Sequence, residues 1–127
     1  MDAALDESAR EAVDVDLAGL ADIYASGGEA DLVRRIEDRL ALRPADGGAP
    51  HYLLMRTDGV RLAGDLEAWP DLDAAISERG MIAIGHRSSA HARSTRLAPD
   101  TWLLVAHEVD PASTLKAGVR TGFLVGG

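Results

Sequence analysis

The chain contains no cysteine, so a disulfide framework, a thiolate metal site and a cysteine nucleophile are all excluded. It also lacks any run of about 18 apolar residues, and Met1, Asp2 and Ala3 open it without the basic and apolar regions of a signal peptide. As written, the sequence neither spans a membrane nor carries its own export signal. Bases are nearly missing from the first third, where nine acids up to Val33 face a single base, Arg10. From Arg34 onward the charges balance at twelve each, so the whole net charge of −8 lies in that first third. Such a field repels a polyanion, which argues against nucleic-acid binding. Acids are missing in turn between Gly80 and Pro99, a stretch that holds Arg87, Arg93, Arg96, His86 and His91. If any part of the chain attracts an anion, it is this one.

What is present fits one ordinary domain. The 127 residues are 46% hydrophobic and 27% charged, which is globular composition and argues against disorder or low complexity. From about Leu5 to Ser26, Leu5, Ala9, Val13, Leu17, Leu20 and Tyr24 recur at spacings of three and four, one helical stripe, which Ala12, Val15, Ala18 and Ile23 broaden. Gly27 and Gly28 end it. A second amphipathic stretch from Glu29 to Leu42 lines up Leu32, Val33, Ile36 and Leu40, and Pro44 with the Gly-rich segment to Pro50 stops it. The two stretches predict a helical hairpin over 5–42.

At His51 the period changes. The run from His51 to Arg56, then Thr57-Asp58-Gly59, then Val60 to Gly64 reads as two strands joined by an Asp-Gly hairpin turn. Leu66 to Arg79 contains Trp69-Pro70 and a short helical candidate from Asp71 to Glu78. Three more strands are expected at Met81 to Arg87, His91 to Leu97 and Thr101 to His107, with turns at 88–90 and 98–100. In Trp102-Leu103-Leu104-Val105-Ala106 apolar residues point to both faces, as in a central strand covered on both sides. Pro111 to about Phe123 reads as a closing helix. The fold class is therefore α+β: a long N-terminal helix and a second helix packed on an antiparallel sheet of about five strands spanning 51–107, then a C-terminal helix over 111–123.

Tyr52-Leu53-Leu54, Asp58-Gly59, Arg61-Leu62-Ala63-Gly64-Asp65-Leu66 and Trp69-Pro70, taken in order, resemble a pattern of extracytoplasmic (periplasmic) sensor domains of bacterial two-component sensor histidine kinases. In that group a helix ending in a Gly-Gly turn and a second helix with a basic end come first, as Tyr24 to Gly28 and Val33 to Arg39 do here. A Leu-Leu-Val strand follows, as at Leu103-Leu104-Val105. The similarity covers nearly the whole chain. This chain departs from the pattern in carrying Asp65 where the family often has Asn, and Ala106-His107 where it often has Gly-Arg. The resemblance implies a Cache- or PAS-like sensor fold inserted between two membrane helices, as the extracytoplasmic part of an inner-membrane protein, with the kinase core on the other side. No kinase motif is present, so the chain itself is expected to be noncatalytic and to need no cofactor.

The candidate ligand-binding residues are Arg93, His86, Arg87, His91, Tyr52 and Trp69. Arginine forks suit a carboxylate or phosphate, and Arg93 is the favoured contact. Alternation puts Arg93 and Arg96 on opposite faces of a strand, and solvation of an edge hairpin is the plainer role for this whole cluster. His86 and His91 flank a turn as a two-histidine metal site would need, but no carboxylate lies near them in sequence, and no metal is expected. Trp69 and Tyr52 suit a pocket wall, although a core plug is the commoner role for an aromatic ring placed over a sheet. Ser88 or Ser94 with His86 and Asp100 supplies the residue types of a triad without any nucleophile-elbow sequence, which does not make an enzyme. Leu5, Ala9, Val13, Leu17 and Leu20 form an apolar seam suited to a parallel homodimer in the parent receptor, opposed by the acidic charge around them. The expected function is a ligand-sensing input domain that relays a shift through its terminal helices. The rivals are a ligand-free dimerisation or spacer module, and a small soluble binding protein or enzyme.

Overall fold

The computed structural model of the protein describes residues 2–42, 50–84 and 88–109, with side chains from residue 8 onward except at 88. One helical element, α1 (Asp2–Leu42), is followed by the strands β1 (Pro50–Arg56), β2 (Arg61–Gly64), β3 (Arg79–Ile84), β4 (Ser88–Ala98) and β5 (Thr101–Val109). A single 3-10 turn, η1 (Ala74–Ile76), lies between β2 and β3. The closing helix expected over 111–123 lies outside the described residues.

Inside α1 the backbone leaves helical geometry at Gly28, with φ 82° and ψ −171°, a conformation open to glycine and costly for other residues. The two segments fold back on one another there. Asp16 and Arg39 form an ion pair, although a straight helix would hold them about 35 Å apart at 1.5 Å per residue. The expected helical hairpin is thus present as one element bent at the second of the two glycines. Val13, Leu17 and Leu20 from the first segment and Leu32 and Ile36 from the second are all buried on the sheet, against Tyr52, Leu54, Ala63, Leu103 and Val105.

The five strands form one antiparallel sheet in the order β2-β1-β5-β4-β3. β5 sits at its centre, and Leu103, Leu104, Val105 and Ala106 are fully buried, as apolar side chains on both faces of one strand require. The hairpin turn forms where Asp58-Gly59 predicts it, with the Asp58 carboxylate accepting from the Val60 N–H at 3.0 Å. Two expectations are corrected. The helix foreseen from Asp71 to Glu78 shrinks to η1, which starts at the Asp73 cap and is stopped by Ser77 in a left-handed conformation. Residues 88–90, foreseen as a turn, belong to β4, because Ser88 and Ser89 pair with Ile84 and Ala83 of β3 and Ser89 also pairs with Val109 of β5. Backbone pairing on both sides outweighs the turn preference of serine.

The face of the sheet away from α1 is covered by the connection from β2 to β3. Its departure depends on Gly64, at φ 113°, where a Cβ would stand 2.2 Å from the Tyr52 carbonyl oxygen. That carbonyl accepts the Asp65 N–H at 3.0 Å, which turns the chain up and over the sheet. Leu66, Trp69 and Leu72 then pack on Leu53, Ala90, Ala92, Leu104 and Ala106.

Candidate functional site

Between this connection and β3 lies a cleft of about 620 Å³, with Leu66, Pro70, Leu72, Ile82 and Ile84 as its apolar walls. Trp69 fixes the connection: its ring lies 5.4 Å from that of Trp102 at 51°, and its Nε1 donates to the Leu72 carbonyl at 2.8 Å.

His51 lines the cleft from its floor and is 6% exposed. Its Nδ1 lies 2.5 Å from Asp65 Oδ2 and its Nε2 lies 2.5 Å from Glu108 Oε2. A carboxylate on each ring nitrogen asks for a proton on each, so the geometry is that of an imidazolium donating twice. Burial opposes that charge, but the two carboxylates outweigh it and hold His51 above the ordinary histidine range. Asp65 is oriented in turn by the Tyr52 backbone N–H, which donates to Oδ1 at 2.9 Å. Three elements meet here: the start of β1, the connection after β2, and the end of β5.

On the other face, Asp16 gathers a second cluster. Arg39 pairs with its Oδ1, while the Tyr52 hydroxyl at 2.5 Å and His107 Nε2 at 3.1 Å donate to Oδ2. Further along, Asp14 takes Arg93 at 3.0 Å and Arg79 at 3.2 Å. Burial is the largest single influence on the Asp14 carboxyl and pushes it up, but the hydrogen bonds and charges of Arg93 and Arg79 together outweigh it and hold the group below the usual carboxylate range.

The residues expected to bind a ligand are therefore divided. Arg93 is on the α1 side of the sheet, spent on Asp14 and on Ser77, whose hydroxyl accepts from its Nε at 3.1 Å. Tyr52 is a buried part of the α1 core with its hydroxyl on Asp16, and Trp69 supports the cleft cover. His91 is buried on β4 and stands opposite Met81 and His107 in the register; His86 and Arg87 lie outside the described residues. Among the described residues of the acid-free stretch, 81–84 reach the cleft. In the proposed dimer seam, Val13, Leu17 and Leu20 are buried within the chain's own core, Ala9 is half-buried, and the Leu5 side chain lies outside the description.

The sequence reading missed His51, Asp65 and Glu108. A signal existed at Asp65, where an acid replaces the usual Asn of the resembling pattern, but His51 lies 14 residues from Asp65 and 57 from Glu108, beyond any local motif. Among the described residues no group of three His, Cys, Asp or Glu side chains has the geometry of a metal site. Ser94, one of the triad candidates, is buried with its hydroxyl on the Glu78 carbonyl, and Asp100 sits in the turn before β5 with Arg56 and Thr101. The described lining of the cleft includes no serine, threonine or lysine beside His51. The arrangement suits binding: a charged, fully hydrogen-bonded floor beneath apolar walls. Among the described residues no helix is long and apolar enough to cross a membrane. Comparison of the chain with protein-family models, curated proteins and solved structures finds no match.

Proposed function

We propose that the chain is a noncatalytic sensory input domain, the extracytoplasmic part of a membrane-bound sensor histidine kinase, and that it binds a small ligand in the cleft above His51. The observation that carries the reading is the cleft itself, about 620 Å³ with a buried imidazolium in its floor and a single irregular connection as its cover. That volume lies in the range of small-molecule sites, roughly 300–1,000 Å³. The ordered motifs from Tyr52 to Pro70 support the sensor identity, and three of the motif residues, Gly64, Asp65 and Trp69, shape the cleft or its cover. Occupancy would bear on β5 directly, since Glu108 joins the floor to its last turn of strand. A homodimer in the parent receptor belongs to the same reading. With Val13, Leu17 and Leu20 facing inward, its helical contact would use the outer face of α1, where Val15 is 71% exposed.

A thermal-shift screen of the chain against carboxylates, phosphates and amines tests this. The expected result is a class that raises the melting temperature, with the gain abolished by Ile84→Trp, which enlarges an apolar wall of the cleft. If every class leaves the melting temperature unchanged, or if a hit survives Ile84→Trp, the sensing reading fails and the spacer module takes its place.

A further inference from the structure

The two edges of the sheet are finished differently. On one side β2 is four residues long, its register with β1 slips between Leu54 and Met55, and Gly64 turns the chain away at φ 113°. On the other, β3 runs for six residues in unbroken register with β4, from Arg79 opposite Arg93 to Ile84 opposite Ser88. It contains no proline, and its one charged residue, Arg79, is tied to Asp14. Short, irregular edges resist pairing with another chain, whereas a longer regular one invites it.

The hydrogen-bond pattern fixes which groups β3 offers. The Ser94 N–H donates to the Glu78 carbonyl at 2.9 Å, one register step before Arg79 and Arg93. Bonded pairs alternate in an antiparallel ladder, so Gly80, Ile82 and Ile84 turn their N–H and C=O toward β4. Those of Met81 and Ala83 point away from β4, and no main-chain group among the described residues takes them. Both residues line the cleft with Ile82 and Ile84. Their side chains alternate to the α1 face, as that of Arg79 does, and Met81 is 54% exposed. On the connection side of the cleft stand Glu67 and Asp71, both exposed. The described lining holds no arginine or lysine, and the His51 charge is already matched by Asp65 and Glu108.

We propose that β3 docks an extended cationic peptide, which adds to the sheet as a further antiparallel strand and lays its basic side chains in the cleft. This docking rests on the sensing reading of the cleft and names the class of its ligand. Peptide residues opposite Met81 and Ala83 exchange main-chain hydrogen bonds with them and set apolar side chains beside Met81. The residues between point to the cover face, where a lysine or arginine runs its stem along Ile82 and Ile84 and brings its charge to Glu67 and Asp71. Main-chain bonds supply the affinity, and the carboxylates select the sign of the charge. A second copy of the chain fits less well, because it carries the same two carboxylates toward their own kind.

Isothermal titration of the 127-residue chain with a blocked peptide, acetyl-Val-Lys-Val-Lys-Val-amide, tests this. Binding is expected and should weaken as salt is added, while the same peptide with glutamate for lysine should not bind. N-methylation of the valines, whose N–H groups face β3, should weaken binding about tenfold or more, the equivalent of one or two lost main-chain bonds; N-methylation of the lysines should change it less than about twofold. Met81→Pro removes an outward N–H without taking a bond from β4, a change that edge strands accept, and should weaken the peptide as much. If Met81→Pro does not fold, the N-methylated peptides decide on the unaltered chain. Equal binding of the two N-methylated peptides, or of the lysine and glutamate peptides, would overturn strand addition. A chain that sediments as a dimer and ignores the peptide would overturn it too, with a second copy holding the edge. If the peptide does not bind while a small carboxylate, phosphate or amine still raises the melting temperature, strand addition fails and the sensing reading stands; if nothing binds, both fail.

Discussion

The two faces of the sheet are built on different plans. The face under α1 is filled by long side chains, Val13, Leu17, Leu20, Leu32 and Ile36 meeting Tyr52, Leu54, Leu103 and Val105. The opposite face presents Ala90, Ala92 and Ala106 around Leu53 and Leu104, beneath a connection whose regular structure is one 3-10 turn. A regular helix can fill a sheet face because its stripe repeats along the strands; an irregular connection touches the sheet only where Leu66, Trp69 and Leu72 reach down. The first face therefore supplies stability, and the second leaves the cleft. Each face also carries a histidine–carboxylate cluster near the end of β5, and the two histidines move in opposite directions, His51 up and His107 down, the latter through burial and then the charges of His51 and Arg39.

The largest expected effect sharpens this contrast. Leu20→Ala should cost about 2–5 kcal/mol of unfolding free energy, the range for deleting a fully buried leucine. Leu72→Ala, in the half-open cover, should cost clearly less, and equal losses in chemical denaturation would mean that both faces are packed alike. Next comes Tyr52→Phe, which takes one donor from the buried Asp16 carboxylate and should cost about 1.5–3 kcal/mol, the range for a hydrogen bond to a charged group. A change within error would show that Arg39 and His107 satisfy Asp16 alone.

The clamp on His51 gives a smaller, pH-dependent effect. Because its folded pKa is raised, its stabilisation is complete below the unfolded value of 6.5 and is lost as the pH rises through the folded pKa. His51→Gln should therefore cost most below pH 6.5 and progressively less above it; a cost that grows with pH would reverse the assignment. The smallest effect is expected at Arg93→Ala. Its pair with Asp14 is roughly a third exposed on both sides, so the loss should stay within about 1 kcal/mol and shrink further in salt. A loss of several kcal/mol would make this seam as structural as the core.

The elements legible in the sequence are those set by neighbours along the chain. The stripe of Val13, Leu17 and Leu20 predicts a helix and its buried face, Gly27-Gly28 its break, Asp58-Gly59 the first hairpin, and the two-sided run at 102–106 the central strand. What covers the buried face was not legible. The same leucine stripe serves a dimer seam or an intramolecular core equally well, and only the sheet beneath it decides. Arg93 illustrates the same limit: an arginine in an acid-free stretch reads as an anion contact, yet Asp14, 79 residues earlier, takes it. The two departures from the resembling pattern, Asp65 and His107, turn out to lie in the two titratable clusters.

The sequence by itself determined the helical hairpin, the change of period at His51, the α+β class and the concentration of acid in the first third. Those features depend on residue spacing and on local backbone preferences, which act over a few residues. Only the tertiary structure decided that His51 would stand between Asp65 and Glu108, and that Tyr52, Arg39 and His107 would share Asp16. The physical reason is the strand order β2-β1-β5-β4-β3. Setting β1 beside β5 brings residues more than 50 positions apart into hydrogen-bonding distance, and a charge buried at such a junction takes its partner from whichever element the sheet places next to it.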